Sequence, residues 1–149
     1  MISTALIENP KLVIADEPTP GLDPKLAKRA MEHFRQLADM GAAVLVITHD
    51  LELALETADR VQVFYAGYTI EDAAVDDFNE EETLRHPYTR ALWRAMPKHG
   101  FQYINGVQPY VKDNLQGCPF APRCDRKSQE CQDEIPWKAS GSGYVRCIL

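Results

Sequence analysis

Two short apolar segments, separated by a stretch of helical length, constrain the fold of this chain more than any other feature. They read "KLVIAD" and "AAVLVITH", and each is a continuous apolar run that ends in polar residues. Such runs are typical of strands that are buried on both faces of a parallel sheet. Between them, Asp23 and Pro24 can cap and begin a helix, and Gly41 can end it. The order strand, helix, strand predicts a parallel sheet with right-handed crossovers.

Three further segments extend the pattern to residue 74. "LELALETA" predicts a short helix that Asp50 can cap, "RVQVFYAG" predicts a third strand, and "YTIEDAA" predicts the return strand of a hairpin. We therefore expect residues 1–74 to belong to an α/β domain with parallel strands.

The character of the chain changes in residues 75–149. The segment "DDFNEEETLRHPYTRALWRAMP" predicts two short helices separated at His86-Pro87, because proline disfavours helical geometry in the residue before it. From Lys98 to Leu149 there is little periodicity and much Gly, Pro, Asn and Ser. We expect an irregular extension with too few apolar residues to build its own core.

Polar residues follow the first two predicted strands directly. Asp16 and Glu17 end the first strand, and His49 ends the second. In open parallel sheets, ligands bind beyond the carboxyl ends of the strands. One carboxylate there can hold Mg²⁺, the second can accept a proton from an attacking water, and a histidine can contact a terminal phosphate. An isolated acidic pair is more often an incidental pair at a solvated strand end, so the pair alone does not establish a site.

The segment "LVIADEPTPGLDP", followed by "VLVITHD", resembles the Walker B, D-loop and switch-histidine segments of ABC-type ATPases. The resemblance implies that residues 1–74 are the C-terminal half of a P-loop NTPase nucleotide-binding domain that uses ATP and Mg²⁺. It implies that Asp16 is the magnesium residue and Glu17 the catalytic glutamate. It also implies that Asp23, in the D-loop, and His49, the switch histidine, contact the nucleotide site.

Two motifs of this family do not occur in the sequence. There is no G-x-x-x-x-G-K-[ST] loop, whose amides and lysine cradle phosphates, and no Leu-Ser-Gly-Gly signature. The opening "MISTALIENP" resembles the last turns of the helix that follows the signature in the family. We expect the chain to be the C-terminal part of a nucleotide-binding subunit, cut just after the signature, and to be inactive as an ATPase by itself.

All four cysteines lie in the last part of the chain. "RHPYTRALWRAMP", "GCPFAPRC", a third cysteine and "VRC" together resemble the C-terminal extension of oligopeptide, dipeptide and nickel importer ATPases. The spacing C-x5-C-x6-C-x15-C fits neither paired zinc knuckles nor ferredoxins, so the spacing leaves zinc, an iron–sulfur cluster and free thiols open. The resemblance implies a [4Fe–4S] cluster. Its expected ligands are Cys118, Cys124, Cys131 and Cys147.

The three other histidines, His33, His86 and His99, show no pattern of partners, and we predict that they are surface residues.

The resemblance also implies a function and partners. The chain would be part of the ATP-hydrolysing subunit of an importer of peptides or nickel complexes, peripheral to the cytoplasmic face of the membrane. It would form a head-to-tail dimer with a second ATPase subunit, bind transmembrane permease subunits, and depend indirectly on an extracytoplasmic substrate-binding protein. The alternative is a non-catalytic fragment that acts as an interaction or metal-cluster-binding module.

A nucleic-acid partner is not expected. The formal net charge is −6, whereas DNA-binding surfaces are basic. DNA-repair and chromosome-organising ATPases share the Walker B region but lack the cysteine-bearing extension. The sequence shows no secretory signal, and no apolar stretch approaches the roughly 18 residues of a membrane helix.

Overall fold

A computed structural model of the chain describes residues 10–110 and 116–149, in two compact units, Met1–Ala58 and Asp59–Leu149. The first nine residues of "MISTALIENP", the segment that resembles the end of a helix, lie outside the described residues. The helices are α1 (Pro24–Asp39), α2 (Leu51–Thr57) and α3 (Pro87–Ala95). The strands are β1 (Leu12–Asp16), β2 (Ala43–Ile47), β3 (Arg60–Tyr65), β4 (Tyr68–Ala74), β5 (Lys138–Ser140) and β6 (Gly143–Val145).

In the first unit, β1 and β2 are parallel neighbours joined through α1. Their register runs from Leu12 opposite Ala43 to Asp16 opposite Ile47. Helix α1 begins where the sequence predicts, because the Asp23 carboxylate accepts the backbone N–H groups of Lys25 and Leu26 at 3.0 and 3.1 Å. These bonds satisfy amides that have no partner within the helix. The predicted strand–helix–strand unit is therefore present.

One face of this two-stranded sheet carries the core of the unit. Helix α1 contributes three buried side chains to this core, Met31, Phe34 and Leu37. They pack against alternate residues of the two strands, Val13, Ala15, Val44 and Val46, and against Ala42 and Leu53. The opposite face is exposed, with Leu12, Ile14, Leu45 and Ile47 as its large side chains. The prediction that both faces are buried is wrong for the described residues, because α1 covers only one of them.

The third predicted strand does not join the parallel pair. β3 pairs antiparallel with β4, and the second sheet has the order β3-β4-β6-β5. The two-residue turn Ala66-Gly67 joins β3 to β4, with φ values of 47° and 84°. Two successive positive φ values are the requirement of the type I′ turn, whose twist matches that of antiparallel strands. The predicted hairpin is thus confirmed, and the predicted three-stranded parallel sheet is not found among the described residues.

The rest of the second unit adds to this hairpin. The first of the two predicted short helices is instead a pair of 3₁₀ turns, Val75–Asn79 and Glu81–Thr83, and the second is α3. β6 extends the sheet, with Val145 opposite Glu71 of β4. The C-terminal extension therefore shares a core with the hairpin and α3 instead of building its own. Its apolar members include Ile70, Leu84, Phe120, Ile135 and Val145.

The division between the two units follows Ala58, so the sequence-predicted boundary at residues 74–75 falls inside the second unit, directly after β4. Neither described stretch, 10–110 or 116–149, contains a helix that is long and apolar enough to cross a membrane.

Candidate functional site

The first candidate site lies where β1 and β2 end. Asp16 is the last residue of β1 and lies opposite Ile47 of β2. Glu17 follows, and its backbone N–H donates to the Ile47 carbonyl at 2.8 Å. Its φ is 44°, a left-handed conformation that a non-glycine residue adopts only when its surroundings impose it. The backbone of Glu17 is thus fixed at the carboxyl edge of the parallel pair.

His49 reaches Glu17 from the neighbouring strand end. Its Nδ1 lies 2.9 Å from Oε1 and 3.0 Å from Oε2 of the Glu17 carboxylate, to which it donates. The His49 side chain is 80% exposed and that of Glu17 39%. The pKa of His49 is raised, first by the hydrogen bond to Glu17 and then by the negative charge of the same carboxylate. The structure therefore brings together two of the residues that the sequence singled out.

The other two predicted residues of this site have different surroundings. The Asp16 side chain is exposed at the strand end. Asp23 caps α1, so its carboxylate has a structural role in addition to any ligand contact. As they stand, no three His, Cys, Asp or Glu side chains within residues 10–110 and 116–149 are grouped so that they could hold a metal ion.

The second candidate site is formed by the cysteines. All four are free thiols, and all four border one small cavity of about 10 Å³ in the second unit. His86 and Phe120 also line it. The backbone N–H of Cys118 donates to the Cys131 carbonyl at 2.8 Å, which ties two of the cysteine-bearing loops together. Residues that are far apart in sequence, such as Cys118 and Cys147, therefore meet at one place.

Backbone amides act on three of the four cysteines. Those of Phe120 and Ala121 lower the pKa of Cys118, and that of Arg126 lowers the pKa of Cys124, although burial outweighs both effects. Ser128 N–H donates to the Cys131 sulfur at 3.5 Å. Amide donors of this kind stabilise sulfur in its thiolate form, the form that binds metals.

Burial acts in the opposite direction at two of these sulfurs. It raises the pKa of the Cys118 thiol, and the amides of Phe120 and Ala121 only partly offset that rise. Burial likewise raises the pKa of Cys124. Four sulfurs around one cavity match the ligands of an iron–sulfur cluster in number and type, but as they stand no three of these described residues are grouped closely enough to hold a single metal ion such as zinc.

Sequence reasoning missed two buried polar residues of the second unit, of which His86 lines the cysteine cavity. His86 was predicted to lie on the surface, but it is 1% exposed, and burial lowers its pKa to about 4. Glu71 was not singled out, yet its carboxylate is 2% exposed and accepts two backbone N–H groups, those of Arg85 and His86, each at 2.8 Å. The signal for His86 was its place before Pro87, where a residue can cap a helix. A strand with two acids in succession gave no signal for Glu71.

The chain is similar to known proteins both in its C-terminal region and over nearly its whole length. Residues 70–131 match a family described as the C-terminal region of the oligopeptide/dipeptide transporter. A probable peptide ABC transporter ATP-binding protein of Sinorhizobium fredii, y4tR, is 43% identical over 143 residues, which are 91% of this chain. The oligopeptide transport ATP-binding protein AppD of Bacillus subtilis is 40% identical over 100% of this chain. The dipeptide transport ATP-binding protein DppD of Haemophilus influenzae is 37% identical over 99% of it.

Residues 70–131 belong to the family of oligopeptide/dipeptide transporter C-terminal regions, and the chain is similar over nearly its whole length to ATP-binding proteins of peptide ABC transporters. It spans less than half the length of the relatives that it matches, namely 42% of y4tR, 47% of AppD and 46% of DppD. The family match over residues 70–131 includes Glu71, His86 and the first three cysteines.

Proposed function

We propose that the chain provides the hydrolytic edge of an ATP-binding subunit that energises peptide import. The observation that carries the proposal is the contact between Glu17 and His49, at 2.9 Å, at the carboxyl ends of two parallel strands. Ligands of parallel sheets bind at this edge. The similarity to peptide ABC transporter ATP-binding proteins supports the same assignment.

The side-chain chemistry of Asp16, Glu17 and His49 indicates the role of each residue in the proposed hydrolysis. Bound Mg²⁺–ATP would supply the phosphoryl group, and the Asp16 carboxylate would hold the metal ion. The Glu17 carboxylate accepts a proton from the attacking water. His49 orients that carboxylate through Nδ1–H, which leaves its other ring nitrogen available for a phosphate oxygen. The raised pKa of His49 favours the protonated ring, in which both nitrogens can donate.

The first experiment measures phosphate release by the chain itself. Because the sequence has no phosphate-binding loop and no signature, we expect no release above that of the Glu17→Gln variant. Turnover clearly above this control would contradict the prediction.

The second experiment fuses the chain behind a segment that supplies the phosphate-binding loop and the signature. Glu17→Gln should retain ATP binding and stall hydrolysis, since it removes the base and keeps the shape. His49→Ala should also slow turnover. Glu52→Gln, which changes an exposed acid on α2, is the matched control and should turn over like the parent. Parental rates in both site variants would refute the assignment.

The wider proposals concern the whole subunit. They comprise a head-to-tail dimer with a second ATPase subunit, permease subunits as membrane partners, an indirect link to an extracytoplasmic binding protein, and a peripheral position on the cytoplasmic face. Peptides are the substrate class that the relatives' names support. Import of nickel complexes rests only on the resemblance of the sequence. Co-purification with permease subunits tests the assembly.

A second candidate function belongs to the extension, in which we propose that the four cysteines bind a [4Fe–4S] cluster. Their convergence on one cavity, and the Ser128 amide that donates to the Cys131 sulfur, support this proposal. If only this site were functional, the chain would be a cluster-binding module without catalysis.

Anaerobically purified chain should contain iron and sulfide, and each Cys→Ser change should lower both. Cys→Ser changes should leave the first unit folded, because all four cysteines lie in the second unit. Zinc in place of iron would identify the alternative metal. The absence of both, with four freely titrating thiols in the native chain, would refute the site.

A further inference from the structure

The buried ring of His86 contacts one of the proposed ligands and has no part in the function proposed so far. Its Nε2 lies 4.0 Å from the Cys118 sulfur, and its Nδ1 lies 3.0 Å from the backbone nitrogen of Tyr88. The residue is 1% exposed, so water does not compete for either nitrogen. Each ring nitrogen thus has one partner of its own, the Tyr88 amide for Nδ1 and the Cys118 sulfur for Nε2.

These two contacts fix the position of the ring proton. The Tyr88 amide can only donate, so Nδ1 of His86 must carry a lone pair. A neutral imidazole with an unprotonated Nδ1 carries its proton on Nε2. That N–H points at the Cys118 sulfur, which is therefore an acceptor in this pair.

The ring is held in place before any ligand binds. The Glu71 carboxylate accepts the backbone N–H of His86 at 2.8 Å, and Pro87 restricts the backbone on the other side. The Phe120 ring packs against the imidazole, with 5.8 Å between ring centroids. Turning the ring over would sacrifice the cap of α3, because His86 is the N-cap residue of that helix.

We propose that His86 is a positioning residue of the cysteine site, which donates a hydrogen bond from Nε2 to the Cys118 thiolate. The inference rests on the cluster-binding function proposed above. A hydrogen bond to a ligand sulfur withdraws electron density from it and stabilises the more negative, reduced form of a cluster. Residues that orient metal ligands typically change metal affinity about 10–100-fold when they are replaced. His86 therefore sets both the retention and the reduction potential of what the cysteines hold.

Two substitutions separate the hydrogen bond from the helix cap. His86→Asn keeps a side-chain oxygen that can cap Tyr88 N–H but cannot reach the sulfur. His86→Gln places an amide N–H near the position of Nε2 and should restore the donor. His99→Asn is the matched control, because His99 lies in the same unit and does not border the cavity.

The test reconstitutes the whole chain with ferric iron, sulfide and a thiol reductant, which reduces part of the iron, under anaerobic conditions. Compared with wild type, His86→Asn should lose iron at about tenfold lower chelator concentration, and its reduction potential should shift to a more negative value. His86→Gln should recover part of both changes, and His99→Asn should change neither. In the metal-free chain, nitrogen NMR should show the His86 ring protonated at Nε2.

The outcomes are distinguishable. If wild type binds iron and His86→Asn matches it in retention and potential, the inference is wrong and the cysteine site stands. An Nδ1-protonated ring in the metal-free chain also overturns the inference, whatever the metal content. A wild-type chain that takes up neither iron nor zinc overturns the site itself, and the role of His86 with it.

Discussion

Replacing Glu71 tests how the hairpin holds the start of α3. The Glu71 carboxylate is 2% exposed, and its two oxygens accept the N–H groups of Arg85 and His86 at 2.8 Å each. Glu71→Ala removes both acceptors and leaves two amides that water cannot readily reach. Glu71→Gln keeps one acceptor oxygen and sets an NH₂ group against the other amide, so it should lose about half as much.

The magnitude follows from the number and kind of hydrogen bonds. A bond to a charged group contributes about 1.5–3 kcal/mol, so the loss of two predicts that Glu71→Ala lowers the free energy of unfolding by about 3–6 kcal/mol. Glu71→Gln should lower it by about 1.5–3 kcal/mol on the same scale. Glu82→Gln, at an exposed acid near Arg85, should stay within about 0.5 kcal/mol of wild type.

The chain offers a selective probe for this experiment. Both of its tryptophans, Trp93 and Trp137, belong to the second unit, so urea denaturation followed by tryptophan fluorescence reports on that unit. Hydrogen exchange gives a local readout, since the amides of Arg85 and His86 should exchange faster in the variants. A loss below about 1 kcal/mol for Glu71→Ala, with unchanged exchange at these amides, would refute the reasoning.

Two further predictions concern other parts of the chain. The pKa of His49, raised by Glu17, should fall towards its ordinary value in Glu17→Gln when followed by NMR titration; no change would mean that the pair does not form in solution. Because this folded-state pKa is raised, the contact stabilises the chain fully below about pH 6.5, and the stabilisation disappears as the pH rises through the folded-state pKa. Gly143→Ala should destabilise the second unit by about 1–3 kcal/mol or more in urea denaturation, because a Cβ there would overlap the backbone of Asp72. Gly100→Ala, which meets no atom within 4 Å but has a φ of 95°, should cost about 1 kcal/mol, and equal losses would contradict the packing argument.

Local signals in the sequence predicted much of the first unit. Asp23 and Gly41 bound α1 as expected, because capping and left-handed glycine geometry depend on neighbouring residues only. The proximity of Glu17 and His49 also followed from a local rule, since parallel strands end at the same edge. In these cases the determining interactions span few residues or follow directly from strand direction.

The second unit was less predictable because its determinants are distant in sequence. The hairpin partner of β3 was predicted correctly, but β3 was also expected to join the parallel strands and does not do so among the described residues, since an apolar strand carries no mark of which sheet it will join. The burial of His86 depends on loops that bring the cysteines to it from more than thirty residues away, with 32 residues separating it from Cys118. A histidine before a proline indicates a helix boundary, but it does not indicate which distant segments will pack against the histidine ring.

The pairing of β4 with β6 has a consequence for biosynthesis. Glu71 lies opposite Val145, so the sheet of the second unit closes only after residues 143–145 have been synthesised. The strand–helix–strand of the first unit needs only contacts up to Leu53 and can form while the remainder is still being translated. During that interval β4 presents an unpaired edge, and nascent chains awaiting residues 143–145 are the species most exposed to strand addition by neighbouring polypeptides.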